Sequence, residues 1–208
     1  MLGAGSPTER FDVVLANETD ARLNVQTTDI LNAIHWAAGE IACDPDRIGI
    51  WGSPFAGGHV VYVAACDPRV KAFVSQVGSM DGRWVLANPQ LRQYTFNQAT
   101  ARTRGQIGYP KPAERFGTLI GAPVIEKLMA YAPIEDIGRC QNCAKRFIVA
   151  EKEELFDNKD HAILARERAT GTKKLVIIPG IKHYGIYNEA RGQAQKEAIA
   201  WYDKYLKP

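Results

Sequence analysis

Ile48-Gly49-Ile50-Trp51-Gly52-Ser53-Pro54-Phe55-Ala56-Gly57-Gly58-His59-Val60 is the stretch that decides the architecture. Its first five residues are short and nearly all apolar, the pattern of a parallel strand covered on both faces. A Gly-rich turn follows, then a helix through His59, Val60, Val63 and Ala64. The flanks agree with this strand, turn and helix. Upstream, Ile30, Leu31, Ile34, His35 and Ala38 recur at helical spacing, with Thr27 or Thr28 as N-cap and Gly39 near the end, and Asp44-Pro45-Asp46 makes a turn. Downstream, Asp67-Pro68 stops the helix and residues 70–77 read as a second buried strand.

Alternation continues to the C-terminus, with a strand at 146–150, a helix at about 159–169, a strand at 174–178 and a final helix at about 190–205. Repeated βα units predict an α/β fold, a parallel sheet flanked by helices and wound right-handedly. Residues 78–137 interrupt the pattern. They carry helical spacing around 91–104 and 123–131, several Gly and Pro breaks and no clear buried strand, and read as a helical, lid-like excursion over the sheet. At the other end, residues 11–15 and 22–25 are β-like stretches around the turn-rich Asn17-Glu18-Thr19-Asp20, so residues 1–27 read as a short hairpin or loop. The expectation is one domain over residues 1–208.

A net charge of +3 and the lack of any run of Lys or Arg argue against nucleic acid as a partner. Nowhere do 18 apolar residues run together, and residues 1–10 lack a secretory h-region, so no membrane partner and a cytoplasmic location are expected. The four cysteines, Cys43, Cys66, Cys140 and Cys143, are too sparse to staple a chain of 208 residues and read as reduced thiols. Only Cys140 and Cys143 have CxxC spacing. A zinc site usually needs a second pair or nearby histidines, so they read as a loop that carries two thiols.

The segment at 48–60 resembles the nucleophile elbow of α/β-hydrolases of the dienelactone-hydrolase and prolyl-peptidase-like type, whose form is small-x-Ser-x-small-Gly. In such a turn a strand reverses sharply into a helix, small residues let the backbones approach, and the nucleophile stands near the helix N-terminus. Gly52, Ala56, Gly57 and Gly58 supply the small residues. Two further loops follow in the family's order of nucleophile, acid and base. Ala150-Glu151-Lys152-Glu153-Glu154-Leu155 is similar to the acid loop and puts Glu153 at the acid position, although a solvated charged face is the other reading of that run. Pro179-Gly180-Ile181-Lys182-His183-Tyr184-Gly185 is similar to the histidine loop and makes His183 the base. Asp81 is an alternative acid, and His59 reads as a packed or capping residue. The resemblance covers about residues 28–207 and implies the C-terminal half of an α/β-hydrolase fold.

The chain departs from the family at the centre of the motif. Pro54 occupies the nucleophile position, and making Ser53 the apex would put Trp51 and Phe55 where small residues are required. Proline has no hydroxyl, and its ring holds φ near about −65°, whereas the resemblance implies a positive φ at the apex. The second departure is length, because most strands that precede the elbow in the family are missing, with the loop that donates one oxyanion N–H. The elbow strand is then expected at a sheet edge, covered by the N-terminal segment or by another copy of the chain, so a homo-oligomer, in the simplest case a homodimer, is expected.

The resemblance implies hydrolysis of a small ester, lactone or thioester, with His183 activating Ser53 or a water, and implies no metal or organic cofactor. Trp84, Tyr94, Phe96, Tyr109, Phe116 and Tyr131 are candidates to line a substrate pocket or to pack the excursion. Two alternatives stand beside this reading. One is a non-catalytic binding or assembly protein on the hydrolase scaffold; the other is a lyase or decarboxylase that uses His183 as acid and base.

Overall fold

The computed structural model describes residues 22–108, 115, 116, 119, 120 and 125–207. In chain order the elements that build the sheet region are α1 (Arg22–Ala38), β1 (Ile48–Gly52), α2 (Ala56–Cys66) and β2 (Val70–Gln76). The excursion contains α3 (Trp84–Ala87), α4 (Pro89–Thr103), the two-residue strands β3 (Arg115–Phe116) and β4 (Leu119–Ile120), and α5 (Ile125–Leu128). The sheet region resumes with β5 (Ala144–Ala150), α6 (Leu164–Arg168), β6 (Lys173–Ile178) and α7 (Arg191–Leu206).

Four strands form one sheet in the order β1-β2-β5-β6, every neighbour pair parallel. Parallel strands need crossovers on the sheet faces, and those crossovers bury both faces. Successive side chains divide accordingly. Phe73, Phe147 and Val149 point to the face covered by Val60, Val61 and Val63 of α2, while Val74, Ile148 and Ile178 point to the face covered by Ala194, Ala198 and Trp201 of α7. Phe73 and Phe147 meet edge to face at 5.7 Å, a favoured aromatic geometry that fixes the β2/β5 register.

Arg22–Val25, expected as a β-like stretch, forms the first turn of α1. The helical phase continues backward from Ile30, Leu31 and Ile34, and Thr27 is buried on the same stripe, so packing overrides the local β preference and Thr27 and Thr28 lie inside the helix rather than at its cap. The first β-like stretch, 11–15, lies outside the described residues. Residues 159–169 also differ from the expected plain helix: Lys159–Ile163 is a π-helix and only Leu164–Arg168 is α-helical.

The chain divides into two compact units, Thr27–Asp81 with Ala132–Pro208, and Met1–Gln26 with Gly82–Tyr131. Within the second, α4 starts on Pro89 with Asn88 as N-cap, whose side chain accepts from the Leu91 N–H at 2.9 Å. Arg102 near its end pairs with Glu126 at 2.7 Å. The helix expected at 123–131 is described only as the single turn Ile125–Leu128. Trp84, Tyr94 and Phe96 are exposed, and Tyr109 and Phe116 fall outside the residues whose side chains are described.

β1 is an edge strand among the described residues. Ile48 and Ile50 pack toward α1 and α2, and Gly49 lies under α7, where a Cβ would come within 2.5 Å of Leu206 Cδ1 and 2.9 Å of Tyr202 Cε1. Tyr202 donates its hydroxyl to the Ile50 carbonyl at 2.6 Å, and Trp51 is 50% exposed. Among the described residues no helix is long and apolar enough to cross a membrane.

Candidate active site

The turn between β1 and α2 depends on its glycines. A Cβ at Gly52 would overlap the Ala56 carbonyl, and one at Gly57 would come within 2.5 Å of Gly78 Cα. The small residues of the motif therefore hold backbone against backbone, as an elbow requires. The apex itself is relaxed. Val77, with φ of 39°, is the single non-glycine residue with positive φ among the described residues, so neither Ser53 nor Pro54 has the strained conformation of a nucleophile apex. Pro54 instead leads into the helix: its carbonyl accepts the Gly57 N–H at 3.1 Å and the Ser79 N–H at 3.0 Å, and Phe55 already has α-helical dihedrals. A proline suits this place, since the first N–H groups of a helix have no intrahelical acceptor.

The acid and histidine loops come together. His183 Nδ1 donates to both oxygens of Glu153, at 2.9 Å and 2.8 Å, and the two side chains are 0% and 2% exposed. Since a carboxylate accepts, the bond assigns the proton to Nδ1 and leaves the lone pair on Nε2. That Nε2 is buried and has no hydrogen-bond partner. Glu153 is the buried side chain of a charged run whose neighbours Glu151, Lys152 and Glu154 are exposed, and the run also holds backbone N–H groups. Glu151 accepts the Gly180 N–H at 2.7 Å, Glu154 accepts the His183 N–H at 2.9 Å, and Glu153 also accepts the Leu155 N–H at 3.0 Å. Aromatic edges complete the setting of the imidazole, with Phe156 at 5.8 Å and Tyr184 at 5.0 Å between ring centroids.

Ser53 is engaged elsewhere. Its Oγ lies 2.5 Å from Tyr187 Oη and accepts from Gln76 Nε2 at 3.5 Å, and no hydrogen bond joins it to His183. Burial holds the Tyr187 phenol above its usual range, against a smaller opposite effect of its bond to Ser53, so it stays protonated at neutral pH. Tyr187 and Gln76 are absent from the residues singled out in the sequence. Tyr187 lies one helical turn after His183, and Gln76 ends a buried parallel strand, where α/β folds place functional groups.

A second histidine sits close by. His161, in the π-helix, accepts the Met80 N–H on Nδ1 at 2.9 Å and meets Phe156 with the rings tilted by 53° and their centroids 4.4 Å apart. Burial lowers its pKa. His59 is buried in α2 against Phe55, and burial brings it down to about 4. The CxxC thiols are also buried, and desolvation pushes Cys140 up to about 11 and Cys143 to about 12. Among the described residues no group of three or more His, Cys, Asp or Glu side chains could hold a metal ion.

A cavity of about 550 Å³ beside the dyad is lined by Glu151, Glu153, Glu154, Phe156, Asp157 and Ile177. It reaches the dyad from the carboxylate side. Ser53, Tyr187 and His183 do not line it, so it is not the approach to Nε2.

Solved structures with the same arrangement of elements include the α/β hydrolase GrgF from Penicillium sp. sh18, with a TM-score of 0.72 and 15% identity over 88% of this chain and 72% of that one. The chain has the α/β-hydrolase fold. The same fold relates it to DcsB, solved in complex with a substrate analogue (TM-score 0.72, 16% identity, 88% and 73% of the two chains), and to the hypothetical protein PA2218 from Pseudomonas aeruginosa (TM-score 0.72, 17% identity, 88% and 68%). No family model matches the sequence. An uncharacterized 31.7 kDa protein from the traX-finO intergenic region of Escherichia coli is 26% identical over 237 residues, spanning 98% of this chain and 82% of that protein. The quorum-quenching protein AidA of Acinetobacter baumannii is 44% identical over 57 residues, 27% of this chain and 19% of AidA.

Proposed function

We propose that this chain is a hydrolase of small esters, lactones or thioesters in which the His183–Glu153 dyad activates a water directly. The observation that carries the reading is the buried imidazole: Nδ1 is held by both oxygens of Glu153, and Nε2 presents an unpartnered lone pair. A general base needs that lone pair free and its tautomer fixed, and Glu153 fixes it. Water is the favoured nucleophile because Pro54 has no hydroxyl and Ser53 bonds to Tyr187 and Gln76 rather than to the imidazole.

In the reaction the water oxygen attacks the acyl carbon while its proton passes to Nε2. Collapse of the tetrahedral intermediate expels the alcohol, thiol or lactone hydroxyl, which takes that proton back. Glu153 steadies the imidazolium between the two transfers. The chain is also proposed to act as a homodimer that covers the edge strand β1 and Trp51.

A panel of p-nitrophenyl acetate, γ-butyrolactone and an acetyl thioester tests the reading. Turnover is expected, lost in His183→Ala, with no burst phase and no fluorophosphonate adduct on Ser53. An adduct on Ser53 would move the chemistry to a displaced serine nucleophile. Equal background rates for wild type and His183→Ala across the panel would leave a binding protein on a hydrolase scaffold.

A further inference from the structure

Direct water attack leaves the Ser53–Tyr187 pair without a role, and its proton inventory indicates one. Each hydroxyl carries one proton and two lone pairs. Ser53 and Tyr187 share a bond of 2.5 Å, which uses one of their two protons, and Gln76 donates a further hydrogen to Ser53. The second hydroxyl proton meets no acceptor among the described residues. Whichever hydroxyl donates to the other, one O–H is left to point outward, polarised by its neighbour. Four residues along the same short helix, His183 Nε2 is a buried acceptor without a donor, with the His183 and Tyr187 ring centroids 6.4 Å apart.

One spare donor and one spare acceptor on neighbouring side chains match the two oxygens of an ester under attack. The carbonyl oxygen accepts only, and the attacking water must give up a proton. We infer that the paired hydroxyls of Ser53 and Tyr187 bind the carbonyl oxygen of the acyl group and carry the oxyanion that forms there, opposite the water held by His183 Nε2. The inference rests on the hydrolase reading above and assigns the group that polarises the substrate. As the water adds, the carbonyl π pair moves onto that oxygen, and the outward O–H shortens its bond to the developing charge. When the leaving group departs, the pair returns to the carbonyl. No proton leaves the hydroxyls at any step, in keeping with a phenol that burial keeps protonated. Gln76 acts as a positioning residue, holding Ser53 Oγ from the end of β2. The arrangement also explains why Ser53 is not the nucleophile: Gln76 and Tyr187 converge on its oxygen, and its remaining use is as a donor.

Butyl methylphosphonate, a tetrahedral monoanion that cannot be hydrolysed through acyl transfer, probes the oxyanion site without turnover. Its binding is followed by 31P NMR titration at neutral pH against wild type, Tyr187→Phe and Ser53→Ala, each checked for a cooperative thermal melt. Saturable binding to wild type is expected, weakened about tenfold or more in each variant. If Tyr187→Phe does not fold, Ser53→Ala carries the comparison. In turnover, Tyr187→Phe is expected to lower kcat by about 100-fold with KM within about threefold, the division expected of a group that binds the oxyanion more tightly than the ground-state carbonyl. No saturable phosphonate binding to folded wild type, or binding within twofold of wild type in the folded variants, overturns the inference. The two proposals fail separately. His183-dependent hydrolysis that survives Tyr187→Phe unchanged removes the oxyanion site and keeps the hydrolase, whereas Tyr187-dependent phosphonate binding without any ester turnover removes the hydrolase and keeps the anion site.

Discussion

His59 should make this protein lose stability in mild acid. The side chain is 3% exposed inside α2, and desolvation lowers its pKa from 6.5 to about 4. Above pH 6.5 the imidazole is neutral in the folded and unfolded chains alike and contributes no pH dependence. As pH falls below 6.5 the unfolded chain takes up a proton that the folded chain refuses until about pH 4, so stability is lost across that window and the loss levels off below it. Each pKa unit is worth about 1.4 kcal/mol, so the full loss is about 3 kcal/mol, with about 2 kcal/mol gone by pH 5. That is a sizeable share of the roughly 5–15 kcal/mol that holds a domain folded. His161, lowered by burial as well, adds in the same direction. The assay is urea unfolding of wild type and His59→Gln at several values between pH 7.5 and pH 5. The variant can be weaker at pH 7.5 because packing against Phe55 changes, so the quantity to follow is the gap between the curves. It should move toward the variant by about 2 kcal/mol on going to pH 5. Parallel curves over that range would refute the reasoning.

Three further expectations follow from the elbow and the edge. Gly52→Ala drives a methyl into the Ala56 carbonyl, a backbone obstacle that cannot rotate away, and should cost about 3 kcal/mol in chemical denaturation; a loss under about 0.5 kcal/mol would mean the turn is more forgiving than its packing indicates. Pro54→Ser, set among the same small residues in a chain that already holds a His183–Glu153 dyad, should gain fluorophosphonate labelling at that position by mass spectrometry, and a chain that stays unlabelled would show the imidazole out of reach. Sedimentation at micromolar concentration should report a dimer that Trp51→Lys shifts to monomer; a monomeric wild type would count against pairing through the β1 edge.

The order of the sheet elements was legible because buried parallel strands have a compositional signature. Ile48–Gly52, Val70–Gln76, Ala144–Ala150 and Lys173–Ile178 are short runs rich in β-branched or apolar residues, set between polar or turn-forming residues. Gly52 and Gly57 were legible for a related reason, since a turn of this tightness admits no Cβ. Arg22–Val25 was misread because four residues with β-like side chains say little about a helix whose stripe is set nine residues further on by Ile34. The π-helix at Lys159–Ile163 has no residue pattern to distinguish it from an α-helix, as its extra residue per turn is a matter of hydrogen-bond partners. Tyr187, Gln76 and His161 went unseen because their partners, Ser53 and Met80, lie 134, 23 and 81 positions away, distances that a single chain read in order does not encode.

The seal that α7 makes over Gly49 and Ile50 has a practical side. The turn that carries Ser53 and Pro54 sits at the end of a strand whose rear lining is lent by Tyr202 and Leu206. Shortening either side chain, as in Tyr202→Ala or Leu206→Ala, should therefore loosen the turn at 53–55 from behind without touching any residue of the turn itself.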